Sequence, residues 1–161
     1  MNSTWEAILD GLNDIEENCA PPLGEGPTVQ FMVDCLSLIN HRLPPPALQV
    51  LDLTKAMSSG ERYLQAVTDL RDRCWTFVDA VTRNSGESSS QVSAVRASIF
   101  LIDARLRPEE REFLNSVVLF LEFVNQVEPH LEEELTLLRK HFSKCLSFSS
   151  GGPTGRQRTK N

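Results

Sequence analysis

Apolar residues recur at spacings of three and four along most of the chain, which places their side chains on one face of a helix. Near the start, this spacing is followed by Trp5, Ile8, Leu9, Leu12 and Ile15, and Asn2 or Ser3 can cap the helix. Helices are predicted for 4–18, 29–41, 46–57, 61–83, 91–104, 108–127 and 129–146. No segment shows strict alternation of apolar and polar residues. The sequence therefore predicts an all-α, single-domain bundle of six or seven helices without a sheet, over residues 1–146.

Proline, glycine and serine separate these helices, as in "APPLGEGP" (20–27). Thr28 is predicted to cap the helix that follows this loop, and Pro108 and Pro129 are predicted to open the last two helices. The end of the chain, residues 147–161, is rich in small polar residues and cannot bury enough surface to become ordered. It is predicted to be a disordered, weakly basic tail.

The segment "FLNSVVLFLEFVNQV" (113–127) is apolar nearly all round, with a polar strip only near Asn115 and Glu122. This pattern predicts a central core helix that includes Phe120, because a helix without a polar face has to be buried. The alternative is a surface for a dimer or another partner. Trp75 and Phe77 are interpreted in the same two ways, as core residues or as binding hot spots.

Of the 161 residues, 40% are hydrophobic and 24% are charged, which is typical of soluble globular proteins. The net charge of −6 argues against a duplex DNA-binding protein and is compatible with a basic protein partner. Apolar runs are too short to span a membrane, and residues 1–10 lack the features of a signal peptide. A cytoplasmic location is therefore expected.

Cys19, Cys35, Cys74 and Cys145 are far apart and form no CxxC pair. Because three of them lie in helical apolar patterns, buried free thiols are the favoured interpretation. Disulfide, zinc and catalytic roles remain as alternatives. Two disulfides would require an exported chain.

The stretch "EPHLEEELTLLRKHF" (128–142) offers the best chance of a metal or acid–base site. His130 and His141 are eleven residues apart, which is about 16 Å along a helix, so one ion cannot join them directly. His130 with Glu133 or Glu134 has a usable spacing, but no second motif completes a metal site. This stretch is therefore predicted to be the solvated side of a helix, with no metal and no cofactor.

Motifs for phosphate loops, nucleophile elbows and zinc proteases are absent, so the chain is not predicted to be an enzyme. An enzyme with a cleft assembled from distant helices remains the third hypothesis. Acidic residues are the candidate contacts to a protein partner. These contacts are Glu16, Glu17, Glu132, Glu133 and Glu134.

In "AMSSGERYLQAVTDLRDRCWTFVDAV" (56–81), a small-residue helix end and a short break precede a helix in which Arg71 and Trp75 face the core. This order of features is similar to small all-helical bacterial immunity proteins encoded beside polymorphic toxins. The resemblance covers about a sixth of the chain and transfers no binding residue. It implies that the protein neutralises a cognate toxin by binding it.

The leading hypothesis is therefore a non-enzymatic inhibitor that occludes a basic toxin domain by shape and charge. The alternative is a structural or regulatory protein that self-associates through the apolar surface of 113–124.

Overall fold

The computed structural model describes residues 2–23, 26–56, 60–85 and 89–146, with the side chain of residue 85 left out. Within these residues the chain forms α-helices and short 3-10 helices and no strand, which confirms the all-α prediction. The α-helices are α1 (Ser3–Asn18), α2 (Pro27–Ser37), α3 (Pro45–Ala56), α4 (Glu61–Ser85), α5 (Ser90–Leu106), α6 (Phe113–Val127) and α7 (Leu131–His141). The 3-10 helices are Asn40–Arg42, Pro108–Glu110 and Ser143–Cys145.

Helix α5 lies at the centre of the bundle and packs against α2, α3, α4 and α6. Small residues such as Ser93, Ala97 and Ser98 are buried along with its large apolar residues. The Ser98 hydroxyl donates to the Val95 carbonyl oxygen at 2.7 Å, so its burial leaves no unpaired donor. The sequence prediction gave the central place to α6, and this is corrected: α6 is a core helix, but it leaves Leu119 43% exposed.

Several helix ends differ from the predicted ones. The predicted helix 108–127 is interrupted, because Pro108–Glu110 forms a 3-10 turn and α6 begins only at Phe113. The predicted helix 129–146 likewise divides into α7 and the turn Ser143–Cys145. The N-cap of α2 is Gly26 and not Thr28, which is buried in the first turn. The prediction for Asn2 is confirmed, since its side chain accepts from the amides of Thr4 and Trp5.

Helices α1 and α7 run side by side in the same direction. Near their starts, the Thr4 hydroxyl donates to a carboxylate oxygen of Glu132 at 2.7 Å. Past their ends, Cys19 is joined to Cys145 by a disulfide with the two Cα atoms 5.8 Å apart. The first and last helices of the described chain are therefore fixed to each other at both ends.

Across the described residues, no helix combines the length and apolar character that a membrane crossing needs. The predicted tail, 147–161, lies outside the described residues, and its disorder stays a prediction.

Candidate protein-binding surface

The outer face of α1 carries a row of carboxylates. Glu6, Asp10 and Glu17 are exposed, and their positions fall within about 40° of each other around the helix axis. Ile8, Leu12 and Ile15 are fully buried on the opposite face. The helix contains no lysine or arginine that could neutralise the row. We call Glu6, Asp10 and Glu17 the α1 acidic row.

The acidic residues predicted as partner contacts do not form one patch. Glu132 and Glu133 are exposed at the start of α7, beside the start of α1. Glu16 and Glu17 lie at the other end of α1, about 18 Å away along the helix axis. Glu17 is exposed, whereas one carboxylate oxygen of Glu16 is buried without a partner. The α1 acidic row runs between these two ends.

Sequence reasoning missed Glu6 and Asp10 as members of this surface. Their four-residue separation is a signal that places both on one helix face, and Glu17 shares that face. The prediction concentrated on consecutive glutamates, but consecutive residues on a helix point about 100° apart. The spacing of acidic residues along a helix therefore identifies a continuous acidic row better than a run of consecutive glutamates does.

Glu134 is not a surface contact, and the prediction is corrected here. Its side chain is fully buried, and one carboxylate oxygen accepts from the Asn125 amide at 3.1 Å. The pKa of Glu134 is raised to about 8. Burial is the main cause, the charge of Glu133 adds to it, and the hydrogen bond from Asn125 opposes it. The second oxygen of Glu134 and the carbonyl oxygen of Asn125 are buried without partners. Protonation removes the charge of the buried Glu134 carboxylate and turns one of its oxygens into a hydrogen-bond donor.

The two histidines of 128–142 both contact carboxylates, His141 one on α2 and His130 ones within the stretch itself. His141 Nε2 lies 2.8 Å from an Asp34 oxygen, and the His141 side chain is only 9% exposed, so it is not on a solvated flank as predicted. His130 lies 3.6 Å from Glu128, whose same oxygen is 2.8 Å from His41. No set of three potential ligand residues that could hold a metal ion occurs among the residues described.

Glu128 is the carboxylate that links two of these histidines. Desolvation acts to raise its pKa, but hydrogen bonding to His130 and His41 and their charges outweigh this and lower it. The link joins the turn Asn40–Arg42 to the segment between α6 and α7. Glu128 therefore connects the segment after α2 to the segment after α6 through its contact with His41.

The predicted aromatic residues occupy two kinds of position. Phe120 is fully buried in the core, as predicted. Trp75 and Phe77 are half-buried and pack against the edge of the core. Both are on α4, which packs against α3 and α5.

Arg71 faces the bundle and pairs with a buried carboxylate. Its Nε donates to Asp103 at 2.7 Å, and Arg111 donates to the other Asp103 oxygen at 3.0 Å. The hydrogen bond to Asp103 raises the pKa of Arg71, although burial opposes this. The network holds α4, α5 and the segment before α6 together.

Replacing Asp103→Asn is expected to lower the free energy of unfolding by about 2 kcal/mol, because three charge-assisted hydrogen bonds from Arg71 and Arg111 are weakened or lost at a buried site. Urea denaturation monitored by circular dichroism measures the change. Asp72→Asn is the matched control, since Asp72 is exposed on α4. Equal losses for the two variants would contradict a structural role for this network.

The cysteine prediction is half right. Cys35 and Cys74 are buried free thiols, as predicted. Burial is the main cause that raises the pKa of each, so both are poor nucleophiles. Cys19 and Cys145 instead form the disulfide that fixes α1 to the turn after α7. A separation of 126 residues hides this pairing from any local motif.

Comparisons of the chain with protein-family models, with curated proteins and with solved structures give no significant match.

Proposed function

We propose that this protein is a non-enzymatic binding module of the immunity type, which inhibits a basic partner protein by covering its active surface. The observation that supports this proposal is the α1 acidic row on a helix without basic residues. Such a row creates a one-signed field that attracts a basic surface and accelerates encounter. The row is also held rigidly, because α1 is fixed at both ends to α7.

Rigidity matters because an ordered contact surface loses little conformational freedom on binding. Isolated surface carboxylates contribute little affinity. The row therefore acts mainly by speeding the encounter with the partner and by orienting it. Glu132 and Glu133 are exposed at the start of α7, but Glu132 contacts Thr4, which lies more than about 100° from the row around the axis of α1, so they are not part of the row. Glu134 has no direct contact role in this proposal, because it is buried.

The disulfide bears on where the protein acts. Disulfides persist in oxidising compartments and are rare in the cytosol, where cellular thiols keep cysteines reduced. Cys19 is exposed, so reductants can reach this bond. We therefore propose an oxidising compartment as the place of inhibition, in preference to the cytoplasm that the sequence predicted.

The test compares two triple variants that remove the same charge. Glu6→Gln, Asp10→Asn and Glu17→Gln together neutralise the α1 acidic row. Asp52→Asn, Asp79→Asn and Glu109→Gln neutralise three exposed carboxylates elsewhere and form the control. Tagged proteins are used to capture partners from a native lysate at low and moderate salt, and mass spectrometry identifies the captured proteins.

The expected result is a stoichiometric basic partner that is lost at moderate salt and lost with the α1 variant, but kept by the control. With purified partner, the α1 variant should raise Kd about tenfold, mostly through slower association. Inhibition of the partner's activity should weaken in parallel. Equal binding by the two triple variants would falsify the assignment of the row.

Self-association is the second candidate. The observation that favours it is Leu119, which is 43% exposed, with half-buried Phe123 four residues further along the same face of α6. Recovery of only the chain itself in the capture experiment would favour this candidate over the inhibitor.

A further inference from the structure

A cleft of about 1060 Å³ opens on a part of the molecule that the proposed function does not use. Its walls come from the start of α2, the end of α3, the start of α4 and the ends of α5 and α7. Its size is that of clefts that hold small organic ligands. Five helices converge there, so the cleft is formed by the fold itself.

Buried polar groups form the inner wall of the cleft, and each has a partner within the protein. The Tyr63 side chain is 1% exposed, and its hydroxyl accepts from Arg105 Nε at 3.2 Å. The Arg105 guanidinium also lies over the Tyr63 ring, 4.9 Å from its centroid. His141 is held 2.8 Å from Asp34 on the opposite side. These pairs fix the shape of the wall before any ligand enters.

The charge of the cleft is opposite to that of the whole protein. Lys55, Arg105 and Lys140 line it, and Asp34 is the one carboxylate among its described lining residues. Asp34 is already engaged by His141. Lys55 and Lys140 are exposed and form no ion pair with another described residue. The chain as a whole has a net charge of −6, so this cleft is a local positive region that favours an anion.

Two further features complete the cleft. The N-terminus of α2 borders it at Gly26 and Pro27, and no side chain caps this helix end. Uncapped helix N-termini favour negative charge nearby. Val33 and Leu64 supply an apolar wall, and Leu64 is 45% exposed although it is a large hydrophobic residue. A ligand that covers Leu64 would remove this apolar surface from water.

We propose that this cleft binds a small organic anion that has an anionic oxygen head group and an apolar body. The head group lies between Lys55 and Lys140, near the start of α2. The apolar body packs against Val33 and Leu64. This site is separate from the α1 acidic row, so it neither requires nor excludes the proposed partner.

Phenyl phosphate is the probe, because it combines a phosphate with a small apolar ring. Backbone amide chemical shifts of the full chain are followed by NMR during titration. Inorganic phosphate lacks the apolar body, and benzylamine has a similar ring with the opposite charge. The variant Lys55→Gln with Lys140→Gln removes the two rim cations, and Arg42→Gln with Lys144→Gln is the charge-matched control.

The expected result is saturable binding of phenyl phosphate with Kd of about 1 mM or lower, with shifts centred on Val33, Leu64 and the start of α2. The rim variant should weaken binding at least about tenfold, and the control should bind as the original chain does. Inorganic phosphate should bind more weakly than phenyl phosphate, and benzylamine should not bind.

Absence of saturable shifts in the cleft would overturn the proposal. Equal affinity of the rim variant would remove the role of Lys55 and Lys140. If inorganic phosphate binds as tightly as phenyl phosphate, the apolar wall has no role. The cleft would then bind only an anionic group, which would contradict the proposal. Because this readout is direct binding, its failure leaves the test of the α1 acidic row unaffected.

Discussion

Loss of the Cys19–Cys145 disulfide is expected to lower the free energy of unfolding by about 4 kcal/mol, because the bond closes a loop of more than a hundred residues in the unfolded chain. For a chain of this size, the melting temperature should fall by about 10 °C. The double variant Cys19→Ser with Cys145→Ser tests this without a reductant. Thermal unfolding followed by circular dichroism gives the change.

The control uses the same double variant with and without dithiothreitol. The original chain should lose stability on reduction, whereas the variant should not respond, because Cys35 and Cys74 are already free thiols. Alkylation under denaturing conditions should label two cysteines before reduction and four after it. A melting temperature that reduction leaves unchanged would contradict a stabilising role for the bond.

Glu134→Gln is expected to make the protein more stable at pH 8 and to leave it little changed near pH 5. Burial raises the pKa of Glu134 to about 8 in the folded protein, from an ordinary value of 4.5. The folded state therefore holds this proton more tightly than the unfolded state. Below the ordinary value both states are protonated, and above it the unfolded state gains stability by ionising.

The stability of the original chain should therefore decline as pH rises from the ordinary pKa towards 8. A glutamine at this position does not ionise and can both accept from Asn125 and donate to it. The difference in free energy of unfolding between variant and original should grow by about 3 kcal/mol from pH 5 to pH 8. Urea denaturation at intermediate pH values measures this difference.

Glu133→Gln is the matched control, because Glu133 is the neighbouring carboxylate on α7 and its side chain is 58% exposed. It should change the pH dependence of stability only slightly, by removing the minor contribution that the Glu133 charge makes to the raised pKa of Glu134. If the Glu134 and Glu133 variants show parallel pH dependence, Glu134 is not a protonated buried group.

The helical pattern predicted the fold because most helices of this bundle have one buried face. In α1, three of the five residues that the periodicity selected, Ile8, Leu12 and Ile15, are fully buried, and the other two, Trp5 and Leu9, are half-buried. The pattern was less informative for α5, where Ser93, Ala97 and Ser98 are buried although they are small or polar. Such residues permit close helix packing but give no hydrophobic signal.

Glu134 shows why the candidate site was harder to predict than the fold. It lies about 60° from Leu131 around the axis of α7, at the edge of the apolar stripe. Its burial depends on Asn125 of α6 and on the nearby α2, which covers the same side with Cys35. The sequence gives the position of a residue on its own helix, but neighbouring helices determine how wide the covered face is.

The cleft could not be predicted for a related reason. Its lining residues are spread from Gly26 to His141, and no local motif joins them. In the sequence, Lys55 and Lys140 look like ordinary exposed lysines near helix ends. Only the folded structure places both at the same cleft. The same holds for Cys19 and Cys145, whose partnership depends on the parallel arrangement of α1 and α7.

The pairing of the first helix with the last ones also has a consequence for biosynthesis. The main packing partners of α1 are α6, α7 and the turn Ser143–Cys145, all of which leave the ribosome about a hundred residues later. At about 5–20 residues per second, Ile8, Leu12 and Ile15 stay uncovered for about 5–20 seconds. During that interval Cys19 is a thiol without its partner, while Cys35 and Cys74 have already been made. Oxidation of the nascent chain would therefore favour mispaired disulfides, and correct pairing requires that oxidation follow synthesis of Cys145.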